Sequence, residues 1–233
     1  EVKFGEHPLV THYMKGIFEC RPALPKYSDI WDVNIVLNYL KTLERVDLIP
    51  LKELTLKLTM LLCLTTGQRG QTIHMMDVNG IQALPGRYRI AISVKLKHTK
   101  PGKHLAPMDL LAFPAEENLC VVKTLQEYLK RTLHHRTAHS QLLLSYIKPF
   151  KPVSKATTAR WVKLVIKAAG IDITKYSAHS SRAASTSKCK SKGLTMKAIM
   201  EAAGWSNAGT FARFYEKPIE VRDENFGSIV LQQ

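Results

Sequence analysis

The order of the apolar patterns constrains the fold of this chain more than any other feature. Apolar residues recur at helical spacing over residues 30–43 and again over 51–64, whereas residues 87–94 (RYRIAISV) alternate and are rich in strand formers. Helical patterns then resume and cover residues 118–131, 154–169, 177–193, 195–203 and 207–216. This order predicts a mostly helical α+β fold with one small antiparallel sheet.

Residues with strong capping preferences mark where several of these helices begin and end. Ser28 or Asp29 can cap the first long helix, and Ser154 can cap the helix that follows it, because a short side-chain oxygen accepts a bond from a free backbone N–H. Glycine tolerates the left-handed backbone that often terminates a helix, and glycines of this kind follow the predicted helices at Gly67, Gly170, Gly193 and Gly204. Pro218 must lie outside the last helix.

Turn-forming residues follow the alternating segment. The sequence Lys100-Pro101-Gly102-Lys103 favours a turn, and residues 104–108 can return as a second strand. We therefore expect a β-hairpin with a basic tip.

Proline residues divide the chain near its start. Residues 1–26 carry a short helical apolar pattern followed by Pro22 and Pro25, and we interpret them as the tail of a preceding module and a linker. Residues 27–219 form the main predicted domain, and residues 220–233 form a C-terminal segment.

The positive charge of the chain points to a polyanionic partner. The formal net charge is +15, and residues 87–103 contain six Lys or Arg and no acid. Residues 160–217 contain eleven basic residues and three acids. Nucleic acid is the favoured partner, and an acidic membrane surface is the weaker alternative because no strongly apolar, basic amphipathic helix stands out. The candidate DNA-contacting residues are Arg87, Lys95, Lys103, Arg160, Lys188 and Lys190.

Other function classes find little support in the sequence. Apolar stretches such as residues 58–64 are far shorter than the roughly 20 residues of a membrane span, and no signal-peptide pattern opens the chain, so we expect an intracellular protein. The four cysteines are scattered and include no CxxC pair, which argues against a disulfide framework or a zinc site. The cluster His134, His135 and His139 is interpreted as a polar loop rather than a metal site.

The segment Ala178-His179-Ser180-Ser181-Arg182 lies near the start of a predicted helix. Residues three apart share a helix face, so His179 and Arg182 should point to the same side. A helix N-terminus also favours a bound phosphate through its free N–H groups. Taken alone, this pattern is weak evidence and is more typical of an ordinary capped, solvated helix start.

Several motifs occur in a characteristic order along the chain. Arg69 follows a helix-ending glycine, and then come the basic hairpin, the His179–Arg182 pair, Gly204-Trp205 and finally Tyr215. This order resembles the tyrosine recombinase (phage integrase-like) family, and within it most resembles the recombinases of eukaryotic mobile elements, the DIRS-like retrotransposons and Cryptons. The segments that carry the resemblance cover most of the chain: HPLVTHYMKGIF, TTGQRGQTIH, LKHTKPGKH, KPFKPVS, HSSRAASTSK and AAGWSNAGTFARFYEKP.

The resemblance implies the tyrosine recombinase catalytic-domain fold and attack by a tyrosine hydroxyl on a DNA phosphodiester, which yields a 3′-phosphotyrosine and a free 5′-hydroxyl. It implies Tyr215 as the nucleophile and His179 as the group that accepts or relays its proton. A phenol with a pKa near ~10 is a poor nucleophile at neutral pH, so such help is needed. Neither a metal ion nor a nucleotide cofactor is expected.

The resemblance also implies groups that bind the phosphate and assist the leaving oxygen. Arg69 and Arg182 would hold the non-bridging oxygens, since guanidinium groups match phosphate geometry and stay charged. Trp205 would donate its indole N–H to a phosphate oxygen, although a plain core tryptophan is also compatible with its position. Lys100 or Lys97, at the hairpin tip, would protonate the departing 5′ oxygen.

Two positions depart from the family pattern. Relatives usually carry an acid three residues after the first arginine, where this chain has Thr72, so Arg69 needs another partner. The spacing from Trp205 to Tyr215 is one residue longer than in the bacterial and phage enzymes, which places Phe214 at the usual distance. Only Tyr215 has a hydroxyl there, and Tyr176 is the alternative nucleophile.

The expected partner is double-stranded DNA, with four protomers in the synaptic complex and residues 220–233 packing on a neighbour. A core-binding domain would precede the catalytic domain, and the expected location is the nucleus. Two alternatives stay open: a domesticated, non-cleaving DNA-binding protein of the same fold, and a type IB topoisomerase-like enzyme.

Overall fold

A computed structural model describes residues 3–21, 25–96, 104–136, 139–205, 209, 211–212 and 215–219 of the chain. Within these residues the helices are α1 (Pro8–Cys20), α2 (Val33–Thr42), α3 (Leu51–Thr66), α4 (Gly70–His74), α5 (Val121–Thr132), α6 (Lys155–Ala168), α7 (Ser180–Ser191) and α8 (Met196–Ala203). The strands are β1 (Ile81–Leu84), β2 (Arg87–Ile90) and β3 (Met108–Leu111). The mostly helical α+β prediction is therefore confirmed.

Helix α3 lies at the centre of the core and packs against α5, α6 and α7. Its buried side chains surround most of the helix, as expected for an element covered on several sides, and they include Leu54, Leu58, Leu61 and Leu62. The helix ends at Gly67, whose φ of 58° is left-handed and whose N–H donates to the carbonyl of Cys63. This end places Arg69, two residues later, at the edge of the core.

The first long helix begins later than the sequence predicts. The side chain of Asp32, rather than Ser28 or Asp29, accepts the bond from the Asn34 N–H at 2.9 Å, so that part of the prediction is wrong. The reason is that Ile30 is extended and pairs with Ile219, while its N–H donates to the Pro218 carbonyl at 2.9 Å. The two ends of the main domain therefore meet beside α2.

The sheet has three antiparallel strands in the order β1-β2-β3, whereas the alternating pattern predicts two. Strand β2 ends at Ile90 instead of residue 94, and the return strand begins at Met108 instead of residue 104. The buried Ile90 pairs with Met108, and Leu110 faces the same core, so burial sets the register. Strand β1 has only four residues, too few to show a period.

A close backbone approach fixes the start of the β1–β2 hairpin. The Ala91 N–H donates to the Gly80 carbonyl at 2.9 Å, and a Cβ added at Gly80 would lie 2.3 Å from the Ala91 oxygen. Glycine is therefore required there. At the other end, Gly86 adopts a φ of 68° in the turn between the strands.

The remaining helix signals agree largely with the structure. Ser154 caps α6, Thr195 caps α8, and Gly170, Gly193 and Gly204 all adopt positive φ. The helix predicted from residue 118 starts as a 3-10 turn and becomes α5 only at residue 121, and α7 begins at residue 180 instead of 177. Half of the helix predicted over residues 207–216 lies outside the described residues, and of the other half residues 209, 211 and 212 are helical.

The predicted helix near the start of the chain is present as α1, and all of its described side chains are at least partly exposed. Its assignment to a preceding module stays a prediction. Among the described residues there is no helix with the length and apolar character that a membrane crossing needs.

Candidate active site

Helix α7 brings His179 and Arg182 together at its start. His179 is the N-cap residue, and Arg182 follows one turn later with only 1% of its surface exposed. The start of the helix is fixed from outside, since the buried Trp31 indole N–H donates to the Ser180 hydroxyl at 2.8 Å. The Tyr27 hydroxyl also lies 2.7 Å from the Ser177 hydroxyl. These contacts hold the His179–Arg182 face in one orientation.

The end of α8 joins this face to the loop that carries Arg69. Helix ends leave carbonyl groups without partners. Arg182 Nη2 donates to the carbonyl of Ala203 at 2.9 Å, and the Gln68 side-chain amide donates to that of Ala202 at 2.6 Å. Gly204 then turns the chain with a φ of 67°. The Gln68–Arg69 loop and the turn before Trp205 are thereby held against α7.

Trp205 and Tyr215 cover the guanidinium of Arg182. The Arg182 Cζ lies 4.0 Å from the centroid of the Trp205 ring and 5.5 Å from that of the Tyr215 ring, while the two rings are 4.6 Å apart. Trp205 is buried and also packs with Phe211. Its ring therefore acts in the core and faces the arginine at the same time.

Three buried N–H groups of this cluster lack a partner. Within the described part of the chain, Arg182 Nε, Arg182 Nη1 and Trp205 Nε1 are all buried and donate no hydrogen bond. Burial without a partner is costly for such groups, which implies an acceptor that the described residues do not supply. Burial, followed by the nearby charge of Arg69, lowers the pKa of Arg182 to about 9, so the group is still a cation at neutral pH. A bound anion would satisfy both requirements.

The Tyr215 hydroxyl lies within hydrogen-bond distance of His179. The Tyr215 oxygen and His179 Nε2 are 3.0 Å apart, and the rings meet edge to face. The His179 side chain is open to solvent on one side but crowded by protein on the other. This partial desolvation, together with the charges of Arg182 and Arg69, lowers the pKa of His179 below its ordinary value. The ring is therefore neutral at pH 7 and can accept a proton from the hydroxyl.

An open cleft of about 370 Å³ lies beside this cluster. Arg69, His179 and Arg182 line it, together with Lys155 from the start of α6. The described residues give the Arg69 guanidinium no hydrogen bond or ion pair, and Thr72 is buried with its N–H bonded to the Arg69 carbonyl at 2.8 Å. The partner that replaces the usual acid is therefore not found within the described residues.

Sequence reasoning missed Lys155. The signal that could have found it is its place directly after the cap Ser154, since a helix N-terminus is a common phosphate site. The cleft-facing residues of α6 are Lys155, Thr158, Ala159 and Val162. At about 100° per residue, Arg160 lies roughly 140° around the helix from Lys155, on a different face.

The other predicted DNA-contacting residues have various surroundings. Arg87 shares the carboxylate of Asp109 with Arg89, so part of the charge of this strand is neutralised across the sheet. Lys95 and Arg160 are exposed, Lys188 bonds to the Asn34 side chain, and Lys190 lies 4.0 Å from a Glu216 oxygen. Their DNA contacts stay predictions.

The hairpin lysines Lys97, Lys100 and Lys103 lie outside the described residues. The described residues that follow this tip return close to the cluster. The Leu105 Cδ1 atom lies 3.1 Å from the position that a Cβ would take at Gly204. The residues after the predicted tip therefore contact the turn that precedes Trp205.

Two alternatives from the sequence occupy other places. Tyr176 is buried, and its hydroxyl bonds to the carboxylate of Asp29. A buried hydroxyl that is already bonded does not suit the role of a nucleophile in the cleft. His135, from the histidine cluster that we interpret as a polar loop, stacks on Phe150 with ring centroids 3.9 Å apart.

Comparison with known proteins places the chain in a family. The sequence model of the phage integrase family matches residues 36–220, which is more than half of the chain, and the chain belongs to this family. No curated protein matches it. The comparison does not address the subgroup of mobile-element enzymes.

Solved structures with a similar fold include XerH site-specific recombinase bound to difH substrate in a pre-cleavage complex. It is 18% identical with a TM-score of 0.62, and the match covers 89% of this chain and 53% of that chain, so this chain spans about half of the XerH length. A lambda integrase (75-356) dimer bound to a COC' core site is 16% identical with a TM-score of 0.54, covering 93% and 72%. A lambda integrase tetramer bound to a Holliday junction is 14% identical with a TM-score of 0.51, covering 94% and 60%. These likenesses establish the tyrosine recombinase catalytic fold.

Proposed function

We propose that this protein is a tyrosine-type DNA strand transferase that cuts and rejoins DNA through a covalent 3′-phosphotyrosine at Tyr215. One observation carries the proposal: the Tyr215 hydroxyl lies 3.0 Å from His179 Nε2, directly beside the buried Arg182, whose Nε and Nη1 have no acceptor among the described residues. The reaction needs a tyrosine nucleophile, a neutral base that accepts its proton, and hydrogen-bond donors that bind the phosphate. This arrangement brings the three together.

The cleavage step follows from this arrangement. The Tyr215 oxygen forms a bond to phosphorus as its proton passes to His179 Nε2, and the bond from phosphorus to the 5′ oxygen breaks. Arg182 and Arg69 stabilise the charge that develops on the non-bridging oxygens. The departing 5′ oxygen takes a proton from Lys100 or Lys97. In the rejoining step a 5′-hydroxyl gives its proton to that lysine as its oxygen forms a bond to phosphorus. The bond from phosphorus to the Tyr215 oxygen breaks, and this oxygen takes the proton back from His179.

In this proposal Trp205 serves both as a packing residue and as a donor to the phosphate. Its ring packs against Phe211 and Arg182, while its indole N–H, which has no partner in the part of the chain that the structure describes, can donate to a phosphate oxygen. Packing holds the Trp205 ring in one orientation, and this orientation directs its indole N–H toward the phosphate oxygen.

Double-stranded DNA is the proposed substrate, supported by the net charge of +15. Four protomers would form the synaptic complex, as in the lambda integrase tetramer bound to a Holliday junction, with residues 220–233 packing on a neighbour. The resemblance to DIRS-like and Crypton enzymes supports a role in integration or excision of a mobile element in the nucleus. Imaging of the tagged protein in a eukaryotic cell tests that location.

A suicide substrate that carries the element's terminus tests the proposal. A covalent protein–DNA band is expected, and its absence under conditions of demonstrated DNA binding would favour the non-cleaving alternative, for which the missing acid at Thr72 is the argument. Exchange between two DNA sites distinguishes a recombinase from a topoisomerase, which relaxes supercoils without exchanging partners.

A further inference from the structure

The backbone around Tyr215 is attached to α7 by the side chain of Ser187. The Ser187 hydroxyl donates to the Tyr215 carbonyl at 2.8 Å and accepts from the Lys217 N–H at 3.1 Å. Only 4% of Ser187 is exposed, so water competes little for these bonds. One hydroxyl thus bonds to the chain on both sides of Glu216.

Neighbouring hydroxyl groups of α7 behave differently. Ser185 donates to the Arg182 carbonyl at 3.2 Å, and Thr186 donates to the same carbonyl at 2.7 Å, which is the usual back-bonding of such residues within a helix. The two bonds of Ser187 instead leave the helix. Its hydroxyl therefore connects two segments, whereas those of Ser185 and Thr186 serve the helix itself.

The hydroxyl and the main chain of the proposed nucleophile are thereby both held by one rigid element, α7. His179, at the start of the helix, contacts the Tyr215 hydroxyl, while Ser187, eight residues or about 12 Å further along, holds the Tyr215 main chain. The far end of this segment is attached separately, through the bond from the Ile30 N–H to the Pro218 carbonyl. At the near end, Ser187 adds its two side-chain bonds to the main-chain bond from the Tyr215 N–H to the Phe211 carbonyl at 2.8 Å.

We propose that Ser187 is a positioning residue for the nucleophile, because it fixes the main chain at residues 215 and 217 so that the phenol reaches His179. This inference rests on the proposed function. Misplacement of a reacting group by about 1 Å can cost on the order of 100-fold in rate, and loss of the Ser187 hydroxyl releases both anchoring bonds. The cost should fall on the cleavage rate and leave DNA affinity unchanged.

The test uses single-turnover cleavage of a suicide substrate at saturating DNA. Ser187→Ala should lower the rate constant about 10- to 100-fold with an unchanged reaction amplitude. Ser187→Thr, which keeps a hydroxyl, should stay close to the parent rate. Ser185→Ala is the matched control, since it removes a buried serine hydroxyl from the same helix and should react at the parent rate.

The amplitude separates positioning from general damage, because partly unfolded protein lowers the amplitude and not the rate constant. If Ser187→Ala does not fold, Ser187→Cys replaces it, and the threonine variant should still react at least tenfold faster than the cysteine variant. Cleavage by Ser187→Ala within twofold of the parent rate, or equal rates for Thr and Cys, would overturn the proposal.

A readout without DNA separates this proposal from the proposed function. In an NMR spectrum of the imidazole groups, Ser187→Ala should move the His179 signal in the same direction as Tyr215→Phe does, and Ser185→Ala should leave it in place. If the parent protein forms no covalent adduct, the proposed function fails while this test of the Ser187 anchor still stands. A His179 signal that Tyr215→Phe moves and Ser187→Ala does not would contradict the anchor directly.

Discussion

His179 Nε2 and the Tyr215 hydroxyl oxygen lie 3.0 Å apart, although the two residues are 36 positions apart in the chain. The contact is useful to catalysis only when the imidazole is neutral. Because partial desolvation and the charges of Arg182 and Arg69 lower the pKa of His179, the imidazole stays neutral down to a pH below the ordinary histidine pKa of 6.5.

The acid limb of the cleavage rate should therefore lie below the ordinary histidine pKa of 6.5. The rate should stay level around neutral pH and fall only as pH drops through the lowered pKa, where protonation removes the base. Second-order rate constants at low DNA concentration report this pKa in the free protein. A midpoint clearly above 6.5 would contradict the assignment of His179.

Substitution of Arg69 tests the same electrostatics without catalysis. Arg69→Gln should raise the pKa of His179 toward its ordinary value, as measured by an NMR titration, because one of the charges that disfavour the imidazolium is removed. Arg160→Gln, on a different face of α6, is the charge-matched control and should leave the titration unchanged.

Trp205→Phe should separate packing from donation. Phenylalanine fills much of the site beside Phe211 but has no N–H, so cleavage should slow by about 10- to 100-fold, the equivalent of ~1.5–3 kcal/mol for a hydrogen bond to a charged group. Trp161→Phe, in the core beside Tyr146, controls for the loss of ring volume and should cleave normally. Parent-level cleavage by Trp205→Phe would reduce Trp205 to a packing residue.

Lys155→Gln should weaken DNA binding in a salt-dependent manner. If the lysine neutralises one phosphate from its place in the cleft, the slope of log affinity against log salt should decrease in magnitude by about 0.9. Lys167→Gln is the control, because this exposed lysine lies about 18 Å away along α6. Equal slopes for the parent and the Lys155 variant would remove Lys155 from the interface.

The general acid can be identified with a modified substrate. Replacement of the 5′ bridging oxygen by sulfur gives a leaving group that needs no proton, so Lys100→Ala or Lys97→Ala should recover cleavage on that substrate. Arg182→Ala should not recover comparably, because its loss removes charge stabilisation from the phosphate. If neither lysine variant is rescued while both are inactive on normal DNA, the hairpin lysines only bind DNA.

The sequence predicted the helices well where the local signals are strong. Ser154 caps its helix, and Gly67 and Gly204 end theirs in a left-handed conformation, as predicted. A cap or a left-handed residue depends on only a few neighbours along the chain. The start of α2 was predicted wrongly because Ile30 pairs with Ile219, a partner far along the chain. Strand β1 was missed for a different reason, because its four residues are too few to show an alternating pattern.

For the candidate site too, local motifs could be predicted from the sequence and contacts set by packing could not. Motif order singled out His179, Arg182, Trp205 and Tyr215, which the structure brings into one cluster. Lys155 and Ser187 were missed because their relevance arises from packing between helices and segments distant in sequence. The place of Lys155 directly after the cap Ser154 hints at a phosphate site but does not show that it lines the cleft, and no local pattern distinguishes Ser187 from an ordinary helix serine.

The identity of the nucleophile is the central claim, and one variant pair tests it most directly. Tyr215→Phe removes one hydroxyl and leaves the ring that lies over Arg182, so DNA binding should be nearly unchanged while the covalent adduct on a suicide substrate disappears. Tyr176→Phe should still form the adduct, because that buried hydroxyl bonds to Asp29. A covalent adduct in Tyr215→Phe at the parent yield would contradict the account.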